Sequence, residues 1–102
     1  MRLSHKEVAS IKSAFSVVLA DHPYELYLFG SRVDDNKKGG DIDLLVVVST
    51  AQKSSVADQK TVIRKKIFES IPEQKIDITV ATPEELRSDD FLVSIMEYAI
   101  KF

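Results

Sequence analysis

The chain has 102 residues and a net charge of −2, a length that fits one domain with one hydrophobic core. A hydrophobic fraction of 44% argues against intrinsic disorder, and the negative charge argues against general electrostatic binding to nucleic acid. The sequence has no apolar run of membrane-spanning length, no signal-peptide pattern and no Cys for disulfides or thiolate metal sites, so by elimination we expect a cytoplasmic protein without a membrane association.

The first predicted elements are a helix, a strand and a loop. Ser4 and Glu7 form a capping-box pattern, and apolar residues at helical spacing extend the helix to about Ala20. The run 25–29 predicts a short strand. Residues 31–40 are polar and end in two glycines, which predicts a loop.

The middle of the chain predicts a strand, a helix and a second strand. Residues 42–48 are apolar on both faces in their later part, which is typical of a central strand covered on both sides. A polar connection at 49–54 leads to a predicted helix over 56–70. The alternating residues 75–80 then predict a third strand.

Two helices are predicted after the third strand. Residues 82–85 form a second capping box with Pro at the first helical position, followed by a short helix to about Arg87. Asp89 or Asp90 then caps an apolar helix that reaches the end of the sequence. We therefore predict one domain over 1–102 of the α/β (α+β) class, with a small mixed β-sheet of about three strands flanked by helices.

Three aspartates lie at strand positions that usually carry apolar side chains. Asp41 and Asp43 are two residues apart, so a strand projects both to one face, and Asp77 lies inside the third strand. If the second and third strands are neighbours, the three carboxylates converge and repel one another, which a divalent cation relieves. Two such ions about 3.5–4 Å apart can hold the attacking and leaving oxygens of a displacement at phosphorus. The alternative is three separate surface aspartates, with Asp41 as a turn residue.

A Gly-Ser pair follows the first predicted strand. Gly30 lets the backbone approach a phosphate closely, and Ser31 supplies a hydroxyl group. The basic residues Arg32, Lys37 and Lys38 are either phosphate contacts or a solvated face. A strand that ends in Gly-Ser is by itself a common turn, so the signal lies in its combination with the aspartates.

These motifs together resemble a known family. The segment LFGSRVDDNKKGGDIDLLVVV resembles the signature of the polymerase β-like nucleotidyltransferases, in which Gly-Ser precedes an acidic-apolar-acidic triplet by about ten residues. KIDITV resembles the strand that bears the family's third carboxylate. The resemblance covers nearly the whole chain, and the short length resembles the minimal nucleotidyltransferase (MNT) branch. One departure is Val33-Asp34-Asp35 after Arg32, where minimal members often have Ala-Arg-Gly, which places two acidic residues in the loop expected to contact a triphosphate.

The resemblance implies a role for each matching residue. The implied catalytic residues and metal ligands are Asp41, Asp43 and Asp77, and the implied nucleotide-binding residues are Gly30, Ser31 and Arg32. Asp77 is also a candidate for deprotonating the attacking hydroxyl. The implied cofactors are two Mg²⁺ ions, with Mn²⁺ as an alternative, and the implied substrate is ATP.

The resemblance also implies a partner. Minimal members are often paired with a small helical HEPN-domain protein, a toxin ribonuclease for which the nucleotidyltransferase is the antitoxin. The chain would then transfer AMP to a tyrosine of that toxin. One alternative is an antitoxin that neutralises a helical partner by complex formation alone, and another is a regulatory domain with an inert site, which the three retained carboxylates disfavour. The apolar last helix fits core packing or an interface, with a partner or with a second copy.

Overall fold

The computed structural model describes residues 3–30, 41–72 and 74–102. A 3₁₀ turn at Thr50–Gln52 precedes the second helix. In chain order the helices and strands are α1 (His5–Val18), β1 (Glu25–Phe29), β2 (Ile42–Val47), α2 (Lys53–Asp58), α3 (Lys60–Phe68), β3 (Ile76–Ala81), α4 (Pro83–Ser88), α5 (Asp90–Met96) and β4 (Ile100–Lys101).

The strands form one mixed sheet in the order β3-β2-β1-β4. β1 runs antiparallel to both β2 and β4, whereas β2 and β3 are parallel and are connected through α2 and α3. A small mixed sheet flanked by helices confirms the predicted α/β (α+β) fold class. All three predicted strands are present within one residue of their predicted bounds.

The fourth strand corrects the prediction of a helix that continues to the end of the sequence. α5 ends at Met96, and Ile100 then pairs with Leu28 of β1. The backbone N–H of Phe102 donates a hydrogen bond of 2.9 Å to the carbonyl oxygen of Leu26. Pairing with β1 satisfies backbone groups that a three-stranded sheet would leave exposed at its edge, so tertiary contact overrides the helical apolar spacing.

The two faces of the sheet are covered by different helices because strand side chains alternate. Leu44 and Val46 of β2 are buried in the larger core, which includes residues of α1, α2 and α3. Leu45 and Val47 point to the other face and pack with residues of α5. Burying one such side chain stabilises the fold by about 1.5–3 kcal/mol. β2 is therefore covered on both faces, as its sequence predicts.

The predicted helix starts agree with the structure at three places. The side chain of Ser4 accepts a hydrogen bond from the backbone N–H of Glu7, and the Glu7 carboxylate accepts one from Ser4. The capping box of α4 is formed in the same way from Thr82 and Glu85. Of the two candidates for α5, Asp89 is the cap: its carboxylate accepts a hydrogen bond of 3.1 Å from the Leu92 N–H.

The predicted polar connection at 49–54 and the single helix over 56–70 are wrong in their bounds. Helical structure begins at Thr50 and is divided at Gln59 into α2 and α3. The Lys53 ammonium group lies 2.7 Å from the Glu85 carboxylate of α4. Val56 of α2 is fully buried in the larger core, so tertiary packing accompanies the helical form of a segment whose polar sequence is typical of a loop. None of the described helices combines the length and apolar character needed to cross a bilayer.

Candidate functional site

Two of the three aspartates are direct neighbours across strands. Asp43 of β2 is the register partner of Asp77 of β3. Neighbouring strands are about 4.8 Å apart, and paired residues project to the same face. Asp43 is partly buried and Asp77 is exposed. The sequence predicted that these carboxylates would converge if β2 and β3 were neighbours, and the sheet topology meets that condition.

The carboxylates lie at one end of the face covered by α5. Asp43 shares this face with Leu45 and Val47, which are two and four residues further along β2 and are buried. Asp43 therefore lies near the margin of the apolar cover, at the end where β1 finishes and both β2 and β3 begin. An anionic ligand with its cations could approach the site from solvent here.

Asp41 lies just before β2 and contacts a residue that the sequence reasoning missed. The Lys75 ammonium nitrogen is 3.7 Å from an Asp41 carboxylate oxygen. Ile42 is paired with Ile76, so Asp41 and Lys75 are opposite each other immediately before the ladder. Lys75 is two residues from Asp77, and period-two spacing could have identified it as a neighbour of the carboxylates.

The electrostatics of the site follow from this crowding of carboxylates. Partial burial is the largest cause that raises the pKa of Asp43 above its ordinary value, and repulsion by Asp77 and then Asp41 raises it further. Lys75 acts in the opposite direction and lowers the pKa of Asp43. The folded chain thus holds negative charges together at a cost that an added cation would reduce.

Gly30 directly adjoins this cluster. Its φ angle is +79°, in the left-handed region that glycine occupies without steric cost. A Cβ atom built on Gly30 would overlap Oδ2 of Asp43 and lie 3.2 Å from the Asp43 Cγ. The glycine therefore leaves room for the Asp43 carboxylate, and the predicted approach of its backbone to a phosphate stays a prediction. Ser31 and Arg32, together with the acidic pair that follows them, lie outside the described residues.

A metal ion is compatible with these residues, although the described part of the chain contains no group of three or more His, Cys, Asp or Glu side chains close enough to hold one. Asp43 and Asp77 are register partners on neighbouring strands, whereas the Asp41 carboxylate forms an ion pair with Lys75. Mg²⁺ commonly binds proteins through one or two carboxylates and completes its coordination with water and substrate phosphates. The oxygen donors present here therefore fit Mg²⁺ or Mn²⁺.

An aromatic ring is paired with the carboxylate strand and contacts a second ring, and neither residue was predicted as a site residue. Phe29 is the register partner of Asp43 on the β1 side. The Phe91 ring of α5 is edge-on to Phe29, with ring centroids 6.5 Å apart and an interplanar angle of 83°. Spacing alone could not have shown this contact, because it depends on how α5 lies over the sheet.

A shallow pocket lies at the opposite end of the sheet from the carboxylates. Its lining includes Pro23, Val47 and Pro83. Val47 is the last residue of β2, whereas Asp43 is the second. The pocket is therefore separate from the carboxylate site.

Comparisons with known proteins agree with the fold of the chain. A proposed nucleotidyltransferase of known crystal structure is 21% identical over 93% of this chain and 96% of its own, with a TM-score of 0.54. A second proposed nucleotidyltransferase, from Sulfolobus solfataricus, is 18% identical over 100% of this chain and 90% of its own, with a TM-score of 0.50. At these identities the likeness shows the fold alone, and no curated protein sequence matches significantly. The model of the nucleotidyltransferase domain family matches residues 10–102, and the chain therefore belongs to that family.

Proposed function

We propose that this chain is a metal-dependent nucleotidyltransferase that transfers a nucleoside monophosphate, AMP from ATP, to a hydroxyl group. Family membership supports nucleotidyl transfer in general. The observation that carries the proposal is the pairing of Asp43 with Asp77 on one face of the sheet, with Asp41 two residues from Asp43. Carboxylates so placed can bind the cations that accompany a triphosphate.

The reaction is a displacement at the α-phosphorus of ATP. The acceptor hydroxyl oxygen forms a bond to this phosphorus, the bond from phosphorus to the bridging oxygen of the β-phosphate breaks, and pyrophosphate leaves. Asp77 is the more exposed member of the carboxylate pair and takes the hydroxyl proton in this scheme. Asp41, Asp43 and Asp77 would hold divalent cations, which would neutralise charge on the triphosphate and on the pyrophosphate leaving group.

The remaining residues of the proposed site position the carboxylates and the triphosphate. Gly30 leaves space for the carboxylate of Asp43, so a larger side chain there would displace a ligand. Lys75 compensates part of the negative charge through its ion pair with Asp41. Ser31 and Arg32 complete the proposal as contacts of the triphosphate, on the basis of their position directly after Gly30.

The proposed acceptor is a tyrosine of a small helical HEPN-domain toxin, which the transfer would inactivate, so that the chain acts as an antitoxin. This part of the proposal rests on the resemblance to minimal nucleotidyltransferases.

A second candidate function is neutralisation of a helical partner by binding alone. Exposed apolar side chains favour it, since Val17 of α1 is 58% exposed and Val62 of α3 is 50% exposed, and these two helices pack together. Such side chains fit a protein interface. The two candidates differ in whether the carboxylates are needed.

The test is transfer of label from α-³²P ATP in the presence of Mg²⁺. The purified chain is incubated with a helical HEPN-domain protein encoded beside it, with bulk protein, or alone. Asp41→Asn and Asp43→Asn are the test variants, and Asp21→Asn, an exposed aspartate in the turn after α1, is the matched control. Circular dichroism shows whether each variant is folded.

The proposal predicts label on a tyrosine of the HEPN-domain protein, retained in Asp21→Asn and lost in Asp41→Asn and Asp43→Asn. Full transfer by both site variants would contradict the assigned mechanism. Absence of label with a complex that forms equally well in all variants would favour neutralisation by binding.

A further inference from the structure

The Phe29–Phe91 ring pair adjoins the carboxylate site on the same face of the sheet. Phe29 lies directly across from Asp43 in the β1–β2 ladder, and paired residues share a face. The Phe91 ring of α5 contacts Phe29 edge-on and enlarges this apolar surface. The face therefore has a charged part at Asp43 and Asp77 and an aromatic part beside it.

Phe91 has the most exposed apolar side chain of α5. Leu92 and Ile95 are 5% and 9% exposed and pack on Leu45 and Val47, whereas Phe91 is 62% exposed. A single exposed apolar residue on a soluble protein is ordinary. Phe91 differs from such residues because its ring is held by Phe29, which is itself the neighbour of a candidate metal ligand.

The aromatic part begins directly beside the carboxylates. Asp43 and Phe29 are register partners on adjacent strands, which are about 5 Å apart, and the Phe91 ring centroid is 6.5 Å from that of Phe29. The exposed Phe91 ring is therefore separated from the carboxylate site by one side chain, and the base of a triphosphate held at the carboxylates could lie against it.

We propose that Phe91, oriented by Phe29, is the surface on which the base of the bound nucleoside triphosphate stacks. This inference rests on the proposed function, because it takes the triphosphate to be bound at Asp41, Asp43 and Asp77. An aromatic ring offers a π-face to any base, and stacking of this kind distinguishes bases weakly. We therefore expect all four nucleoside triphosphates to bind through Phe91, purines more tightly than pyrimidines because their ring systems are larger.

The experiment measures equilibrium binding by isothermal titration calorimetry in the presence of Mg²⁺. The ligands are ATP, GTP, CTP, UTP and inorganic tripolyphosphate, which carries the phosphate charge without a base. The variants are Phe91→Ala, Phe91→Leu, Phe91→Tyr and, as a matched control, Val93→Ala on the same helix, where Val93 is 41% exposed. Thermal unfolding checks that each variant is folded, which we expect because Phe91 is largely exposed.

The proposal predicts that Phe91→Ala weakens binding of each nucleoside triphosphate by about 5- to 150-fold, the range for loss of one base–aromatic stack. Phe91→Leu should show a smaller loss, because it retains apolar area without a π-face. Phe91→Tyr and Val93→Ala should bind as the unchanged chain does, and tripolyphosphate should bind equally to all variants.

Two outcomes would overturn this inference while leaving the proposed function intact. One is equal affinity of the unchanged chain for ATP and tripolyphosphate, which would mean that the base makes no contact. The other is an equal effect of Phe91→Ala and Val93→Ala on ATP binding. Failure of every triphosphate to bind would overturn the proposed function as well, so the two failures are distinguishable.

Discussion

Gly30→Ala tests the contact between the end of β1 and the carboxylate site. Gly30 has a φ of +79°, and a residue with a Cβ atom pays about 1–2 kcal/mol for a left-handed backbone. The new Cβ would also overlap Oδ2 of Asp43, and moving that side chain off its rotamer costs about 0.5–1.5 kcal/mol. The lower entropy of the unfolded alanine chain offsets about 0.4–1 kcal/mol.

We therefore expect Gly30→Ala to lower the free energy of unfolding by about 0.5–3 kcal/mol. At a urea m value of about 1.5 kcal/mol/M, this lowers the unfolding midpoint by roughly 0.3–2 M. The assay is urea unfolding followed by circular dichroism without metal. Because the substitution displaces the Asp43 carboxylate, Mn²⁺ binding by the folded variant should weaken as well.

A double-mutant cycle separates the two causes. In an Asp43→Ala background the carboxylate is absent, so the only remaining destabilisation by Gly30→Ala should be the backbone strain. The coupling free energy between the two sites should therefore be about 0.5–1.5 kcal/mol. An equal cost of Gly30→Ala in both backgrounds would refute the contact. No cost in either background would refute the left-handed conformation.

Three further predictions concern electrostatics and capping. Burial and the neighbouring aspartates raise the pKa of Asp43 in the folded state above the ordinary 3.8, so ionisation of Asp43 destabilises the fold above that raised pKa. Asp43→Asn should therefore be more stable than the unchanged chain at pH 7 without metal. Urea unfolding at several pH values should show this stability difference narrowing as the pH falls towards 3.8, and a constant difference would contradict the raised pKa. Lys75→Gln removes the ammonium group paired with Asp41 and should strengthen Mn²⁺ binding without nucleotide by about 1.5- to 5-fold, the range for an exposed ion pair. Weaker Mn²⁺ binding by this variant in a titration would show that Lys75 does not compete with the metal. Thr82→Ala removes the N-cap of α4, a residue that is only 4% exposed, and should lower the free energy of unfolding in urea by about 0.5–2 kcal/mol. This loss should exceed that of Ser4→Ala at the exposed start of α1. An equal or larger loss for Ser4→Ala would count against the role of burial.

The carboxylate site shows how far sequence periodicity reaches. The two-residue spacing of Asp41 and Asp43 predicts that they share one strand face, and the position of Asp77 inside an alternating strand predicts its face in the same way. The structure adds the parallel pairing of β2 with β3, which makes Asp43 and Asp77 register partners. The roles of Asp41, Asp43, Asp77 and Gly30, and those of Ser31 and Arg32 outside the described residues, stay predictions.

By itself, the sequence determined what depends on nearby residues: the strand alternation, the capping boxes at Ser4 and Thr82, and the fold class. These features follow from backbone geometry and from hydrogen bonds within a few residues, so a local pattern is sufficient to predict them. Only the tertiary structure decided the strand pairing of Ile100, the ion pair of Lys75 with Asp41 and the contact of Phe91 with Phe29. Each of these joins residues far apart in the chain or on different elements, and its free energy is gained only when the sheet and its covering helices have assembled.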